Sequence, residues 1–321
     1  MRKSGIKTLV SLLMALTLIL GSCLSASAEE KTFTVGILQL IQHPALDQAT
    51  QGFKDALTEK LGDKVVFEEG NASGDSNNCA QIASQLVSHQ VDLIMANATP
   101  AMLACATATA DIPVLATSIT NYESAMEIEL TPEGATGINV SGTSDLAPLD
   151  GQAAMIQELF PNAKTVGLIY CSAEPNSIFQ IKTIEGYLKD MGYECRRYGF
   201  NDSNDLASVV QSSTECDVLY IPTDNTAAGN TEAIANIVLP AGVPVVVGEE
   251  GICSGCGVAT LTISYYDIGY KTGEMAYDIL VNGADIASMP IAYAPQFTKK
   301  YNAANAAALN ITIPEGYLPI E

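Results

Sequence analysis

The chain has 321 residues, 48% apolar and 16% charged, with a net charge of −21 and a pI near 4.3. That length allows two ordinary domains, and the composition argues against disorder. The acidity disfavours nucleic acid, whose phosphates need Lys and Arg, and an anionic membrane surface, and we read it as a solubility feature.

The chain begins with a targeting segment. Arg2, Lys3 and Lys7 precede an apolar run from Thr8 to Leu20 that is too short to span a bilayer comfortably. Residues 1–28 therefore read as a signal peptide. Two cleavage readings stay open. "LGSC", ending at Cys23, resembles a bacterial lipobox, in which that Cys would be lipidated and anchor the protein to a membrane. "ASA", ending at Ala28, resembles an ordinary signal-peptidase site. Either reading exports the protein.

Beyond it, strand and helix patterns alternate almost without interruption. "FTVGILQL" from Phe33 reads as a strand, and the stretch from His43 to Gly62 as a helix with Pro44 in its first turn. "VVFEEGNA", "VDLIMANA" and "IPVLATSI" follow as strands, with "NNCAQIASQLVSH" and "TPAMLACATATA" as helices between them. The strand runs are short and rich in Val, Ile and Leu, as parallel strands buried on both faces are. The Gly, Ser and Thr stretch from Gly137 to Asp150 reads as a hinge. The series then restarts: "TVGLIY" from Thr165 echoes "TVGILQ" from Thr34, and "YECRRYGF", "CDVLYIPT", "VPVVVGEE" and "VATLTIS" continue it. A long amphipathic helix follows Ser264. The pattern predicts an α/β protein of two doubly wound parallel-sheet lobes joined by a hinge, the chain crossing between them more than once.

Six of the eight cysteines lie within these patterns or at the targeting segment, and most read as core. "CSGC", from Cys253 to Cys256, is the one close pair. Free thiols, a local disulfide and a metal or redox role all stay open for it, although no second pair or nearby His completes a zinc site. No cofactor is indicated.

In open α/β sheets, ligands bind beyond the carboxyl ends of the strands. Several strand ends here carry polar residues just before a helix. The first half offers Gln39, His43, Thr99 and Ser118; the second offers Tyr170, Glu174, Asn176, Ser177, Asp224, Asn225 and Glu249. Helix starts present free N–H groups to a carboxylate, and Asp or Glu can pair with an ammonium, so two such sets facing one cleft suit a zwitterion. Thr99, Asn176 and Ser177 would hold the carboxylate, Asp224 with Glu174 or Glu249 the ammonium, and His43 and Tyr170 would wall the side chain. Each residue has a plainer reading. Thr99, Asn176 and Ser177 serve equally as ordinary helix-start residues, Glu174 as a solvated loop carboxylate, His43 as a cap and Tyr122 as loop surface. No G-x-S-x-G elbow, P-loop, H-E-x-x-H or dinucleotide glycine fingerprint is present, so an enzyme is not expected.

At these motifs the sequence resembles the substrate-binding proteins of ABC transporters, of the type that includes the tryptophan/tyrosine-binding lipoproteins. The resemblance rests on the segments 36–53, 96–102, 137–145, 170–177, 221–226 and 257–276, in that order, and covers almost all of the mature chain. It implies a fold like the type I periplasmic binding proteins. Residues 32–145 and 266–293 would form the N-terminal lobe, and 146–265 and 294–321 the C-terminal lobe. It implies a monomer whose cleft closes on a small-molecule solute, an aromatic amino acid being favoured, and delivers it to a membrane permease. A sensor presenting a branched-chain amino acid or nucleoside to a receptor is the alternative. The sequence departs from the family at "NYESAMEIEL", where an Asp-Pro turn is usual, and at "GICSGCG". It has no Trp, so an aromatic solute would stack on Tyr or Phe.

Overall fold

Two sheets organise the chain, and in both the first strand lies inside the second. In the computed structural model, which describes residues 31–320, the first sheet comprises β1 (Phe33–Gln39), β2 (Val65–Asn71), β3 (Leu93–Asn97), β4 (Val114–Ile119), β5 (Val140–Ser144) and β11 (Ala292–Tyr293). Its order is β11-β5-β4-β3-β1-β2, and every pairing is parallel. The second sheet comprises β6 (Thr165–Cys171), β7 (Glu194–Phe200), β8 (Val218–Ile221), β9 (Val245–Val247), β10 (Ala259–Thr262), β12 (Thr298–Tyr301) and β13 (Leu318–Pro319). Its order is β13-β12-β10-β9-β8-β6-β7, with only β10 and β12 antiparallel. The cores 2-1-3-4-5 and 7-6-8-9-10 are the same topology, which gives the short sequence echo at Thr34 and Thr165 a structural counterpart. Each lobe has one point where the strand order reverses, between β1 and β3 and between β6 and β8.

The chain crosses between the sheets three times: after β5, after β10 and between β11 and β12. The stretch read as a hinge from Gly137 is more ordered than that. Its Val140–Ser144 segment is β5, buried along its whole length. Strand pairing to β4 and β11 supplies partners for its backbone, and the first crossing between the sheets follows directly after Ser144. Tyr122, read as loop surface, is buried, and its hydroxyl donates to the carbonyls of Ala116 and Thr143. The local pattern missed this because the Tyr lies in a five-residue helix, Tyr122–Met126, folded back over the sheet.

The helices Pro44–Leu61 and Tyr265–Leu280 meet backbone to backbone. A Cβ at Gly269 would lie 2.0 Å from the carbonyl oxygen of Ala49, and one at Gly52 would lie 2.2 Å from that of Tyr266. Gly269→Ala must therefore push the helices apart and should cost more than about 2 kcal/mol in urea unfolding. Gly186→Ala, in the helix Pro175–Asp190 with nothing within 4 Å, should instead be neutral or stabilise by up to about 1 kcal/mol. Equal effects at the two sites would refute the close-contact account.

Candidate functional site

The carboxyl ends of β1, β4, β6 and β8 converge on a small, tightly closed cavity between the lobes. His43 and Leu46, at the start of the helix Pro44–Leu61, line it from the first lobe together with Ser118, Thr120 and Asp145. Asn176, Thr223, Asp224, Asn225, Ala228 and Glu249 line it from the second, and Tyr265 closes it at a crossing.

The local backbone explains how these side chains reach the cavity. Ser118 has φ 58° and follows a register shift in the β4–β5 pairing, so the strand turns there and aims the hydroxyl off its regular course. Ala98, at the end of β3, has φ 87° and leads into Thr99 at the start of the helix Thr99–Ala108, which has no side-chain cap. Non-glycine residues held in the left-handed region at two adjacent strand ends store strain where ligands bind. His43 is likewise an N-cap whose side chain makes no cap bond, so its ring serves another purpose.

Three buried carboxylates face the cavity, and among the described residues no Lys or Arg lines it. Asp224 accepts from the backbone N–H of Cys171 at 2.6 Å and of Ala227 at 2.8 Å. Burial raises its pKa, and the neighbouring Glu174 carboxylate raises it further. Glu249 caps the helix Glu250–Gly255 through the N–H groups of Gly251 and Ile252, yet burial still pushes it up to about 7. Asp145 accepts from the Tyr265 hydroxyl at 2.9 Å and from Thr120 at 3.2 Å, and burial raises it to about 6 against those bonds.

Glu174 is buried and not a solvated loop carboxylate. It accepts from the backbone N–H groups of Asn225 and Thr226 and from the side chains of Asn225, Thr226 and Asn176. The start of the helix Asn225–Ala228 is thus filled by this chain's own carboxylates. Several buried polar atoms have no partner: His43 Nδ1, Ser118 Oγ, Asn176 Oδ1 and Thr99 Oγ1 among them. The first three belong to cavity residues.

The other candidates lie elsewhere. Ser177 is wholly buried, its N–H donating to the Glu174 carbonyl and its hydroxyl engaged with Asp224. Gln39 lies beneath the cavity, bonded to Asp47, Thr50 and the Ile41 carbonyl. Tyr170 packs its ring against Gly199 and the second-lobe core, away from the cavity. Sequence reasoning missed Thr120, Asp145, Thr223 and Tyr265. Asp145 carried a signal, as a lone carboxylate directly after a buried strand. Cys253 and Cys256 are buried free thiols with no disulfide between them, pushed up in pKa chiefly by burial. Among the described residues, no cluster of three or more His, Cys, Asp or Glu is arranged for a metal, and no helix is long and apolar enough to cross a membrane.

The two lobes bond across the cleft. His43 Nε2 lies 3.2 Å from Asn225 Oδ1, and Gln180 Nε2 donates to Thr120 Oγ1 at 3.3 Å. An enclosed cavity at two switch points, bridged by such bonds, defines a solute-binding protein with its lobes shut. Residues 34–319 match the family described as ABC transporter substrate binding protein, and the chain belongs to that family. The chain is 35% identical over 267 residues to a tyrosine-binding protein of Clostridioides difficile, covering 82% of this chain and 76% of that one. It superposes with a TM-score of 0.85 on an ABC domain in complex with L-Trp from Streptococcus pneumoniae, at 31% identity over 90% of this chain and all of that one. The TM-score is 0.68 to the ligand-free, open structure of a Clostridium difficile substrate binding protein with adhesive properties, at 33% identity over 90% of this chain and 99% of that one. The closer match to the complex, at similar identity, agrees with closed lobes. A leucine binding protein of Thermotoga maritima, at 15% identity and a TM-score of 0.60 over 80% of this chain and 85% of that one, shares the fold. The fold and family are those of solute-binding proteins and not of enzymes.

Because burial holds Asp145, Asp224 and Glu249 above their unfolded values near about 4, the folded chain binds more protons than the unfolded one between about pH 4 and about pH 7. Their contribution to stability is whole below that window and is lost as pH rises through it. His43, lowered by burial, acts in the opposite sense near its unfolded value of 6.5. The fall in unfolding free energy across this window should be shallower in Glu249→Gln than in the wild type. An unchanged slope would show that Glu249 ionises as freely as an exposed carboxyl.

Proposed function

We propose that the protein is the extracytoplasmic receptor of an ABC importer and captures a free amino acid with an aromatic side chain in the interlobe cavity. The observation that carries this reading is a closed cavity lined by three carboxylates and the unused acceptor Asn176 Oδ1, with no cationic side chain among the described residues. Such a lining asks the ligand for an ammonium, and Asp145, Asp224 and Glu249 supply its countercharge. The ligand carboxylate is then met by a neutral donor, the Ser118 hydroxyl, while Thr99 stands outside the cavity lining. Tyr265, Leu46 and Ala228 give the side chain an aromatic and apolar wall. The names of the tyrosine-binding relative and the L-Trp complex support an aromatic solute.

In this reading residues 32–145 and 266–293 move as one lobe, and 146–265 and 294–321 as the other. Closure is reversible, and the loaded form docks on a membrane permease as a monomer. The signal peptide and the lipid anchor at Cys23 lie outside the described residues and belong to the same proposal.

A thermal-shift screen against the free amino acids, followed by calorimetry, tests it. Trp, Tyr or Phe should stabilise the protein, and Asp145→Asn should weaken the best ligand by about tenfold or more, the loss of a charge-assisted bond. Binding in Asp145→Asn within about twofold of wild type would remove Asp145 from the ammonium site. No response to any amino acid would overturn the substrate class.

A further inference from the structure

Glu174, Asn225 and His43 form a chain of hydrogen bonds whose polarity is fixed from one end. Five donors converge on the Glu174 carboxylate: the side chains of Asn176, Asn225 and Thr226 and the backbone N–H groups of Asn225 and Thr226. The Asn225 amide nitrogen is among them, at 2.7 Å, so its amide oxygen must point the other way. That oxygen lies 3.2 Å from His43 Nε2. An amide oxygen only accepts, so the imidazole carries its proton on Nε2. Nδ1 is left with a lone pair, buried and without a partner. Burial also lowers the His43 pKa, against the Asn225 bond and the charges of Glu174 and Asp47, which keeps the ring neutral.

We infer that Glu174 and Asn225 are positioning residues that hold His43 as a hydrogen-bond acceptor, and that Nδ1 selects amino acids whose side chain bears an N–H or O–H. This rests on the amino-acid reading above. The ammonium is not the group that Nδ1 meets, since carboxylates line the same cavity and hold a cation more strongly than a neutral imidazole does. The apolar lining falls beside the acceptor. Leu46 follows His43 by three residues and Ala228 follows Asn225 by three, so each stands about one helical turn from its polar neighbour, and both face the cavity. A buried acceptor flanked by apolar side chains suits the N–H of an indole or the O–H of a phenol. A plain phenyl ring would leave Nδ1 desolvated and unpaired.

The chain has two histidines, and His89 sits exposed beside Glu68, so a His89→Gln variant assigns the His43 signals in heteronuclear NMR of the isotope-labelled protein. With saturating Trp or Tyr, His43 should show the proton on Nε2 and a hydrogen-bonded, unprotonated Nδ1. Calorimetry should find Phe weaker than Trp or Tyr by about tenfold or more. His43→Leu should erase that preference, so that Phe, Tyr and Trp bind within about twofold of one another whatever the overall affinity. Asn225→Ala and Glu174→Gln should release the tautomer in the bound protein and narrow the preference, a spectroscopic change that a purely structural role would not produce. A wild-type protein that binds Phe as tightly as Tyr and Trp, or a bound His43 protonated on Nδ1, overturns the selectivity while the amino-acid reading stands. If no amino acid binds, both fall.

Discussion

Asp224 sits wholly out of water between the ends of β6 and β8, and among the described residues it has no cation beside it. It is tolerated because backbone N–H groups of Cys171 and Ala227 point at it from two different elements. The same solution recurs at Glu249 and, with hydroxyls as donors, at Asp145. Each carboxylate thereby ties a strand end to the helix or crossing that follows, so the polar lining is also part of what holds the loops in place. Removing one of these groups therefore disturbs local structure as well as charge. Asp145 is the cleanest of the three to perturb, because its partners are the side chains of Thr120 and Tyr265 and not a helix backbone.

The position of the cavity follows from the strand order. In each lobe the reversal between the first and third strands opens a gap at the carboxyl edge, since the helices on either side leave the sheet in opposite directions. Parallel pairing fixes all the carboxyl ends on one edge, so two such lobes facing each other place both gaps together. The three crossings keep the lobes facing, and the close contact of the helices Pro44–Leu61 and Tyr265–Leu280 holds the returning chain on the first lobe.

Much of this was legible in the sequence. Short apolar runs of Val, Ile and Leu declared the buried strands, and Pro44, Thr99 and Asp224 marked helix starts at strand ends. Legibility failed where partners come from far along the chain. Glu174 reads locally as a loop carboxylate, but four of its five donors stand 51 and 52 residues away in the turn after β8. Tyr170 looks like a cleft residue because it ends a strand, yet alternation turns its side chain toward Gly199 and the core. Tyr265 looked like the start of an amphipathic helix, and its role emerges only when Asp145, 120 residues earlier, meets its hydroxyl.

The atoms left without partners bear on how such a protein works. His43 Nδ1, Ser118 Oγ and Asn176 Oδ1 are buried at the closed cleft, and each unsatisfied buried group costs about 1–3 kcal/mol. When the lobes part, water reaches all three, so the closed form without a solute is penalised relative to the open form. A solute that offers one donor to the imidazole, one to the Asn176 amide oxygen and a partner to the Ser118 hydroxyl removes that penalty only in the closed form. The difference in affinity between closed and open forms is what shifts the equilibrium, and tight contact with one lobe alone would shift nothing. The few direct bonds across the cleft, between His43 and Asn225 and between Gln180 and Thr120, set the geometry of closure without being numerous enough to hold the lobes shut unaided.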